Sequence, residues 1–260
     1  MSQRILVDRR GAVTRVVIDR PEKLNALSAG MMDSIADAVE GCDTSVLAIA
    51  GSGDRTLCAG ADIGEFATGA EALARQEKAL LRMIAALARA RCLTITAAHG
   101  RVLGGGGMIA ALSDIVLARE DLQIGFPEIR FGMFPIIVHA VLLERLPAAI
   151  AWQLCSTGRT LDAEACLNLG LASRVVAADR FAATVEHAVD WYAERSAVFE
   201  LMRAATRVVD ADRLAARLHD VAPLMLRNYA LPGVADRIRA VLQPGSAPTS
   251  TDTADQEPRR

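Results

Sequence analysis

The 260-residue sequence has almost no net charge, no paired cysteine motif and no long apolar run. Its formal net charge is -2, so it lacks the basic excess that nucleic-acid-binding proteins carry. The odd number of cysteines and the absence of a CxxC pair argue against a disulfide framework and a zinc site. We expect buried thiols in a reducing compartment at Cys42, Cys58, Cys92, Cys155 and Cys166.

The sequence also shows no secretory signal peptide, no transmembrane run and no nucleotide-binding glycine motif. The first ten residues, MSQRILVDRR, carry charges and no apolar h-region, and the most apolar later run, FPIIVHAVLL, is too short to cross a bilayer. No Gly-Lys-Ser/Thr follows the glycine run 104–107, and GSGDRT does not have the GxGxxG spacing. We therefore expect a soluble cytoplasmic protein without nucleic-acid or membrane partners.

Strand-like and helix-like segments alternate along the first two thirds of the chain. RILVDRR and AVTRVVID predict a hairpin of two half-buried strands around Gly11, and Ser28 is a candidate cap for the helix that follows. SVLAIAG, LTITAAHGRV and DIVLARE predict further strands, with a long helix at about 70–90 between the first two. This order of β and α segments predicts an α/β fold with helices covering a parallel sheet.

The remaining chain predicts a change of organisation. A short helix at 162–169 ends at Gly170, ASRVV returns as a strand, and residues 180–242 are almost entirely helical in pattern. The tail at 243–260, rich in small and polar residues, is expected to be disordered. The sequence thus predicts a core over 1–180, a helical region over 181–242 and a tail.

Glycines and polar residues occur together in three loops that follow predicted strands, at 51–62, 100–107 and 125–135. Ligands bind α/β sheets outside the carboxyl ends of the strands, so the first two loops could face each other there. Four consecutive glycines weaken any regular element, since each costs about 0.5–1 kcal/mol relative to alanine. Taken alone, they fit either close packing or backbone N–H groups that approach a ligand oxygen.

Six fragments occur in sequence order: RPEKLNAL, CAGADI, HGRVLGGGGM, SDIVLA, FPEIRFG and STGRTLDAEACLNLGLASRVV. In this order they closely resemble the enoyl-CoA hydratase/isomerase, or crotonase, family, and the resemblance runs from about residue 5 to residue 177. The resemblance implies a ββα spiral followed by a helical trimerisation region at 181–242. It implies acyl-CoA thioester substrates, no separate cofactor, no metal, and a homotrimer or homohexamer.

The same resemblance implies roles for backbone groups in these fragments. The N–H groups of Ala61 and Gly105 would form an oxyanion hole for the thioester oxygen, where each donor is worth about 10²–10³ in rate. A Cβ at Gly105 would then obstruct the thioester. The other substrate-binding positions implied are Lys23 and Leu24 near the CoA nucleotide, and Asp62, Ile63, Gly64 and Gly104 along the acyl-CoA path. Asp62 itself is expected to cap backbone amides.

The acid/base residues depart from the family pattern. Hydratases commonly use two glutamates, but the first position here is Met108 and only the second, Glu128, is present. A carboxylate beside an apolar pocket can have a pKa near neutrality and act as general acid and base. The resemblance favours hydration of a 2-enoyl-CoA because hydratases are common in this family. The missing glutamate favours 3-enoyl to 2-enoyl-CoA isomerisation, and other crotonase reactions or a non-catalytic acyl-CoA-binding subunit remain alternatives.

A second departure follows the FPEIRFG fragment. Many relatives have a glycine-rich turn here, whereas this chain has the bulky residues 136–138, which predict a narrower or differently shaped acyl pocket. His139 would supply the missing acid/base group only if it faced that pocket. A single histidine in an apolar helix is more often a core residue, and this is what we expect of His139.

Overall fold

The computed structural model describes residues 4–66 and 69–242, and the strands within these ranges form two sheets. The predicted tail at 243–260 lies outside the described residues. The strands are β1 Arg4–Arg10, β2 Val13–Asp19, β3 Val46–Gly51, β4 Leu93–Ala98, β5 Arg101–Leu103, β6 Ile115–Arg119, β7 Gln123–Gly125, β8 Thr160–Asp162 and β9 Arg174–Val176.

The larger sheet has the strand order β1-β2-β3-β4-β6-β9. β1 and β2 form the predicted antiparallel hairpin, in which Arg10 pairs with Val13 across a turn at Gly11, and every other neighbouring pair is parallel. The prediction that both hairpin strands are half-buried is wrong for β1, which is exposed along almost its whole length. β1 lies at one edge of the large sheet.

The smaller sheet, in the order β5-β7-β8, was not predicted because strands of three residues carry no readable periodicity. The prediction of one continuous strand over LTITAAHGRV is also wrong. β4 ends at Ala98, and Gly100, with φ +61°, turns the chain so that β5 joins β7 in the other sheet. A Cβ on Gly100 would collide with the carbonyl oxygen of Arg55, so only glycine fits this turn.

Helices cover both faces of the large sheet. Along β3, Leu47 and Ile49 point into the main core with the helices Ala29–Glu40 and Ala70–Ala88, whereas Val46 points to the opposite face, where Val189 of the helix Phe181–Ala193 packs. Ser28 caps the first of these helices as predicted, because its hydroxyl accepts a hydrogen bond from the N–H of Met31 at 3.3 Å. The helices before residue 180 are α1 Ala29–Glu40, α2 Ile63–Phe66, α3 Ala70–Ala88, α4 Gly105–Leu112, α5 Ile136–Leu142, α6 Ala148–Thr157 and α7 Ala163–Asn168.

The predicted helical region after residue 180 is present, and part of it folds back onto the core. Its helices are α8 Phe181–Ala193, α9 Ser196–Ala205, α10 Ala211–Val221, α11 Pro223–Tyr229 and α12 Val234–Leu242. In α11, the side chain of Asn228 accepts from the N–H of Phe134 at 3.2 Å and donates to its carbonyl at 2.7 Å. Arg237 of α12 donates to the carbonyl of Phe131 at 2.8 Å. None of the helices in the described ranges is long and apolar enough to cross a membrane.

Candidate active site

The AGAD loop, residues 59–62, is held against the segment that precedes α1. The N–H of Leu27 donates to the carbonyl of Gly60 at 2.8 Å, and the carbonyl of Leu27 accepts from the N–H of Asp62, also at 2.8 Å. This pattern is a parallel bridge between Leu27 and Ala61. Gly60 and Asp62 make the two hydrogen bonds of this bridge, and Ala61 lies between them. The N–H of Ala61 therefore points away from Leu27 and takes no part in the bridge.

The second loop brings Gly105 beside Ala61. The N–H of Leu103 donates to the carbonyl of Cys58 at 3.0 Å, which joins the two loops directly. An ideal Cβ on Gly105 would lie 3.9 Å from the backbone nitrogen of Ala61. Gly105 is the first residue of α4, where N–H groups have no partner within the helix. Within the described part of the chain, neither of these two N–H groups has a protein acceptor.

The four glycines of the run meet different requirements. Gly104 has φ +45°, a backbone conformation that favours glycine, and its Cβ would lie 3.0 Å from Oε1 of Glu128. A Cβ on Gly106 would lie 2.5 Å from the carbonyl oxygen of Cys58, and one on Gly107 would lie 2.6 Å from the ring of Phe126. Packing against the protein therefore requires glycine at 106 and 107. For these two positions the structure agrees with close packing, the first of the two interpretations of the glycine run.

Gly105 is the exception within the run. Its φ is ordinary, and the nearest protein atom to an added Cβ is Cδ1 of Leu27 at 3.8 Å, an ordinary van der Waals contact. Gly105 lines a cavity, so an added methyl group would take space there without meeting protein atoms closely. The fold thus leaves room for a side chain at 105, and the glycine there is not explained by packing.

Asp62 lines the cavity but is fully engaged by protein groups. Its Oδ1 accepts from the N–H of Gly64 at 3.0 Å, which is the capping role that the sequence predicts. Its Oδ2 accepts from Arg20 at 2.7 Å, and the side chains are only 8% and 13% exposed. Arg20 also donates to the carbonyl of Ala26 at 3.1 Å. This buried ion pair, which the sequence did not reveal, fixes the AGAD loop to the RPEKLNAL segment.

The RPEKLNAL segment forms a tight turn beside the cavity. Lys23 lines the cavity and is exposed to solvent. Leu24, with φ +54°, is not among the lining residues, and its carbonyl accepts from the N–H of Ala59 at 3.0 Å. Ile63 lines the cavity, whereas Gly64 does not. Of the predicted CoA-contacting positions, the structure thus brings all but Leu24 and Gly64 to the cavity wall.

Glu128 projects into the same cavity from the opposite loop. It lies in a 3₁₀ turn, Pro127–Phe131, which Gly132 ends with φ +78°. Its Oε2 atom is buried and has no hydrogen-bond partner in the described part of the chain. Burial raises the pKa of Glu128 to about 7, only partly offset by its own backbone N–H. Such a group can both accept and return a proton near neutral pH.

Two ionisable groups interact electrostatically with this carboxyl, Cys155 and Tyr229. Burial and the charge of Glu128 together raise the pKa of the Cys155 thiol to about 12. Tyr229, which α11 brings to the cavity wall, has its phenol pKa raised by burial, by Glu128 and by Glu77. No positively charged side chain forms an ion pair with Glu128 among the described residues. No nearby positive charge therefore offsets the effect of burial, and the pKa of the Glu128 carboxyl stays at about 7.

Met108 and His139 differ in where the structure places them. Met108 lines the cavity, is 2% exposed, and presents a thioether where the family pattern has a first glutamate. His139 is not among the lining residues. Its ring packs against Phe134 and Trp152, with centroid distances of 5.5 and 5.8 Å, and burial lowers its pKa. As expected, His139 is placed as a packing residue.

One face of α3 supplies a cavity wall that the sequence interpretation missed. Gln76 is 2% exposed, and its Nε2 donates to the carbonyl of Leu27 at 3.3 Å, so it braces the segment that holds Ala61. Glu77, one residue further on, also lines the cavity. The residues 73, 76, 77 and 80 have the spacing of one helical face, a signal that was readable in the sequence.

The cavity has a volume of about 400 Å³, in the range of small-molecule sites. Its wall is mainly apolar, and α11 and α12 close one side of it. The residues that these helices contribute are Met225, Asn228, Tyr229, Ile238 and Leu242. The bulky residues predicted to reshape the pocket, Ile136, Ile137 and Val138, also line it. Within residues 4–66 and 69–242, no group of three or more metal-ligating side chains could hold an ion.

Comparisons with known proteins identify the family to which the chain belongs. The family model described as enoyl-CoA hydratase/isomerase matches residues 13–256. The protein named "Probable enoyl-CoA hydratase echA8" of Mycobacterium bovis is 37% identical over 182 residues, which cover 67% of this chain and 69% of that protein. The short-chain-enoyl-CoA hydratase of Clostridium acetobutylicum is 32% identical over 180 residues, covering 66% and 68%.

Solved structures have the same fold. An enoyl-CoA hydratase from Mycobacterium avium subsp. paratuberculosis K-10 superposes with a TM-score of 0.76 at 25% identity, covering 92% of this chain and 95% of that chain. An enoyl-CoA hydratase/isomerase from Mycobacterium paratuberculosis superposes with a TM-score of 0.77, although its identity is only 20% over 92% and 98% of the two chains. The chain is therefore a member of the enoyl-CoA hydratase/isomerase family, with the crotonase fold.

Proposed function

We propose that this protein is an enoyl-CoA hydratase-type enzyme that adds water to a 2-enoyl-CoA thioester. The observation that carries the proposal is one cavity in which, among the described residues, two backbone N–H groups have no protein acceptor and one carboxyl oxygen, Oε2 of Glu128, has no hydrogen-bond partner. The donors are Ala61 and Gly105, and the carboxyl is Glu128. Thioester addition chemistry requires both kinds of group.

In this proposal the thioester oxygen accepts hydrogen bonds from the N–H groups of Ala61 and Gly105. Ionised Glu128 takes a proton from water as the water oxygen bonds to C3, and the electrons of the double bond move to give an enolate. The two donors stabilise the negative charge that develops on the oxygen. Glu128 then returns the proton to C2, so one carboxyl acts as base and as acid. Its pKa of about 7 suits both steps.

Binding of the CoA portion is assigned to the turn at Lys23 and the loop at residues 61–63. Lys23 is exposed at the cavity wall, where an ammonium group can meet a phosphate. We also propose that the protein assembles as a homotrimer or homohexamer, as the family resemblance implies. A monomer by light scattering at micromolar concentration would contradict that assembly.

The second candidate function is 3-enoyl to 2-enoyl-CoA isomerisation, which Met108 specifically favours. Moving a proton from C2 to C4 needs one carboxyl and no activated water. Met108 leaves the cavity wall without a second carboxylate at the position where hydratases of the family have one. The same donors at Ala61 and Gly105 would stabilise the dienolate that forms after Glu128 removes the C2 proton.

Product analysis separates these two functions. Purified protein is incubated in D₂O with crotonyl-CoA and, separately, with 3-hexenoyl-CoA, and products are identified by proton NMR. A 3-hydroxyacyl product that is abolished in Glu128→Gln supports the hydratase, whereas a 2-enoyl product without hydration supports the isomerase. The matched control is Glu164→Gln, at an exposed position of α7. Binding of both thioesters without turnover of either would refute both functions.

A further inference from the structure

The carboxylate of Glu77 is a cavity group that the proposed reaction does not use. It lies on the face of α3 that lines the cavity, between the turns that contribute Leu73 and Leu80. Both neighbours on this face are apolar, and Gln76 already uses its amide N–H to brace the carbonyl of Leu27. Glu77 is therefore the acidic group that this wall presents to a ligand.

Glu77 has no partner within the described part of the chain. It forms no ion pair or hydrogen bond there, although it is half-buried. Burial raises the pKa of its carboxyl. Partial removal of a carboxylate from water at a largely apolar wall disfavours its charge, and no residue in the described ranges pairs with Glu77 to compensate for this loss. A ligand that donates a hydrogen bond would supply the missing interaction.

Glu77, Glu128 and Tyr229 line one cavity, and the charges of both carboxylates help to raise the pKa of the Tyr229 phenol. In the proposed function Glu128 acts at C2 and C3, and the acyl part of the substrate occupies the cavity that Glu77 also lines. The apolar side chains of Met225 and Ile238 line this cavity too and can contact methylene groups.

We propose that Glu77 selects acyl-CoA substrates whose acyl chain carries a hydrogen-bond donor, a hydroxyl or an amino group, beyond the reacting carbons. This inference rests on the proposed function for the position of the thioester, but its test needs no turnover. An acyl chain that ends in a methyl group leaves the carboxylate of Glu77 unpaired. A chain with a suitably placed donor forms a charge-assisted hydrogen bond to it, which favours that ligand.

The experiment measures dissociation constants by calorimetry for saturated thioesters, which bind without reacting. The ligands are hexanoyl-CoA and octanoyl-CoA, with their 6- and 8-hydroxy and 6- and 8-amino derivatives. The proteins are the wild type, Glu77→Leu and Glu77→Gln, with Glu71→Leu as the control at an exposed glutamate of the same helix. The two chain lengths place the hydrogen-bond donor at two distances from the thioester. The hydroxyl group is a neutral donor and the amino group is a cationic one, so the two derivatives distinguish these kinds of partner for Glu77.

The wild type and Glu71→Leu are expected to bind at least one donor-bearing ligand roughly tenfold more tightly than its methyl-terminated counterpart. In Glu77→Leu this preference is expected to disappear, while the methyl-terminated ligands bind as tightly or more tightly. Selectivity for the amino ligands alone that is also lost in Glu77→Gln would identify a cationic acyl group. Equal binding of all ligands by the wild type, or the same preference in Glu77→Leu, would overturn the inference. Absence of enoyl-CoA turnover would refute the proposed function without altering these affinities.

Discussion

Oε1 of Glu128 lies 3.0 Å from the position that a Cβ on Gly104 would occupy. Gly104 is thus constrained twice, by this contact and by its φ of +45°. The N–H of Gly104 donates to the carbonyl of Gly125 at 3.0 Å, so the loop that starts α4 and the loop that leads to Glu128 are tied together. The position of the carboxyl is therefore coupled to the backbone that presents Gly105.

Gly104→Ala is expected to displace the carboxyl of Glu128 and to reduce activity. A misplacement of about 1 Å can cost about 10²-fold in rate, and the strained φ costs about 1–3 kcal/mol in stability. The measurements are kcat/KM and the free energy of unfolding. Gly170→Ala is the control, because Gly170 has φ +77° with no atom within 4 Å of an added Cβ. It should lose stability but keep its activity, and full activity in Gly104→Ala would contradict the coupling.

Gly105→Ala is expected to lose activity but not stability, whereas Gly107→Ala is expected to lose stability. Alanine fits at 105 without a close protein contact, and it improves helix propensity by up to about 1 kcal/mol, so the protein should fold normally. Its methyl group should nevertheless lower kcat/KM by about 10²-fold, because it displaces the thioester from the two donors. At 107 a Cβ would lie 2.6 Å from the ring of Phe126, and this overpacking should cost about 1–3 kcal/mol.

Thermal unfolding and kcat/KM of both variants check this pair of expectations. If Gly105→Ala retained full activity, the glycine at 105 would have no function toward a ligand. If it unfolded like Gly107→Ala, a packing requirement would account for the glycine instead.

The raised pKa of Glu128 predicts how stability changes with pH. Its carboxyl ionises at about 7 in the folded protein and near 4.5 in the unfolded chain. As the pH rises between these values, the unfolded chain loses the proton first, so the folded state loses stability by about 3 kcal/mol. Glu128→Gln carries no charge at any pH and is expected to lack this decline.

Urea unfolding of the wild type and Glu128→Gln from pH 4 to 8.5 measures this difference. The free energy of unfolding of Glu128→Gln should rise relative to that of the wild type as the pH increases from about 4.5 to about 7. Above this range the difference between the two proteins should stay constant. Comparing the two proteins removes the contributions of His99 and His139, whose pKa values burial lowers and whose effect on stability has the opposite sign. A stability difference that does not change with pH would show that Glu128 titrates normally.

Met108→Glu is expected to change the balance between hydration and isomerisation. The side chain is 2% exposed at the cavity wall, so the new carboxyl would face the substrate space that Glu128 shares. A second acid/base group should raise the ratio of hydrated to isomerised product by about tenfold. Met108→Gln, which adds polarity without an ionisable group, is the control, and the ratio is read by NMR. An equal change in both variants would assign the effect to polarity alone.

The sequence predicted the parts of this site that depend on local motifs. The AGAD loop, the glycine run and the turn with Glu128 each lie within one short fragment, and the family resemblance of these fragments implied one site for Ala61, Gly105 and Glu128, which the structure brings to one cavity. Separate functions for the four glycines were not readable, since contacts such as that of Gly107 with Phe126 join distant segments.

Groups that reach the cavity through tertiary packing were missed. Tyr229 lies 101 positions beyond Glu128 in the sequence and reaches the cavity because α11 folds back. Arg20 pairs with Asp62 across 42 positions, and no local pattern marks either residue as a partner of the other. Glu77 belongs to an amphipathic helix whose buried face was recognisable, but which neighbours that face meets depends on the whole fold.

The most direct test of the account is kcat/KM of Glu128→Gln relative to the wild type, measured above pH 8 with whichever of crotonyl-CoA and 3-hexenoyl-CoA the protein converts. The account predicts a loss of about 10²–10⁴-fold with the fold and thioester binding retained, because the variant keeps the cavity and both donors but has no group that can take the proton. Activity within a few-fold of the wild type would contradict the assignment of Glu128 as the acid/base residue.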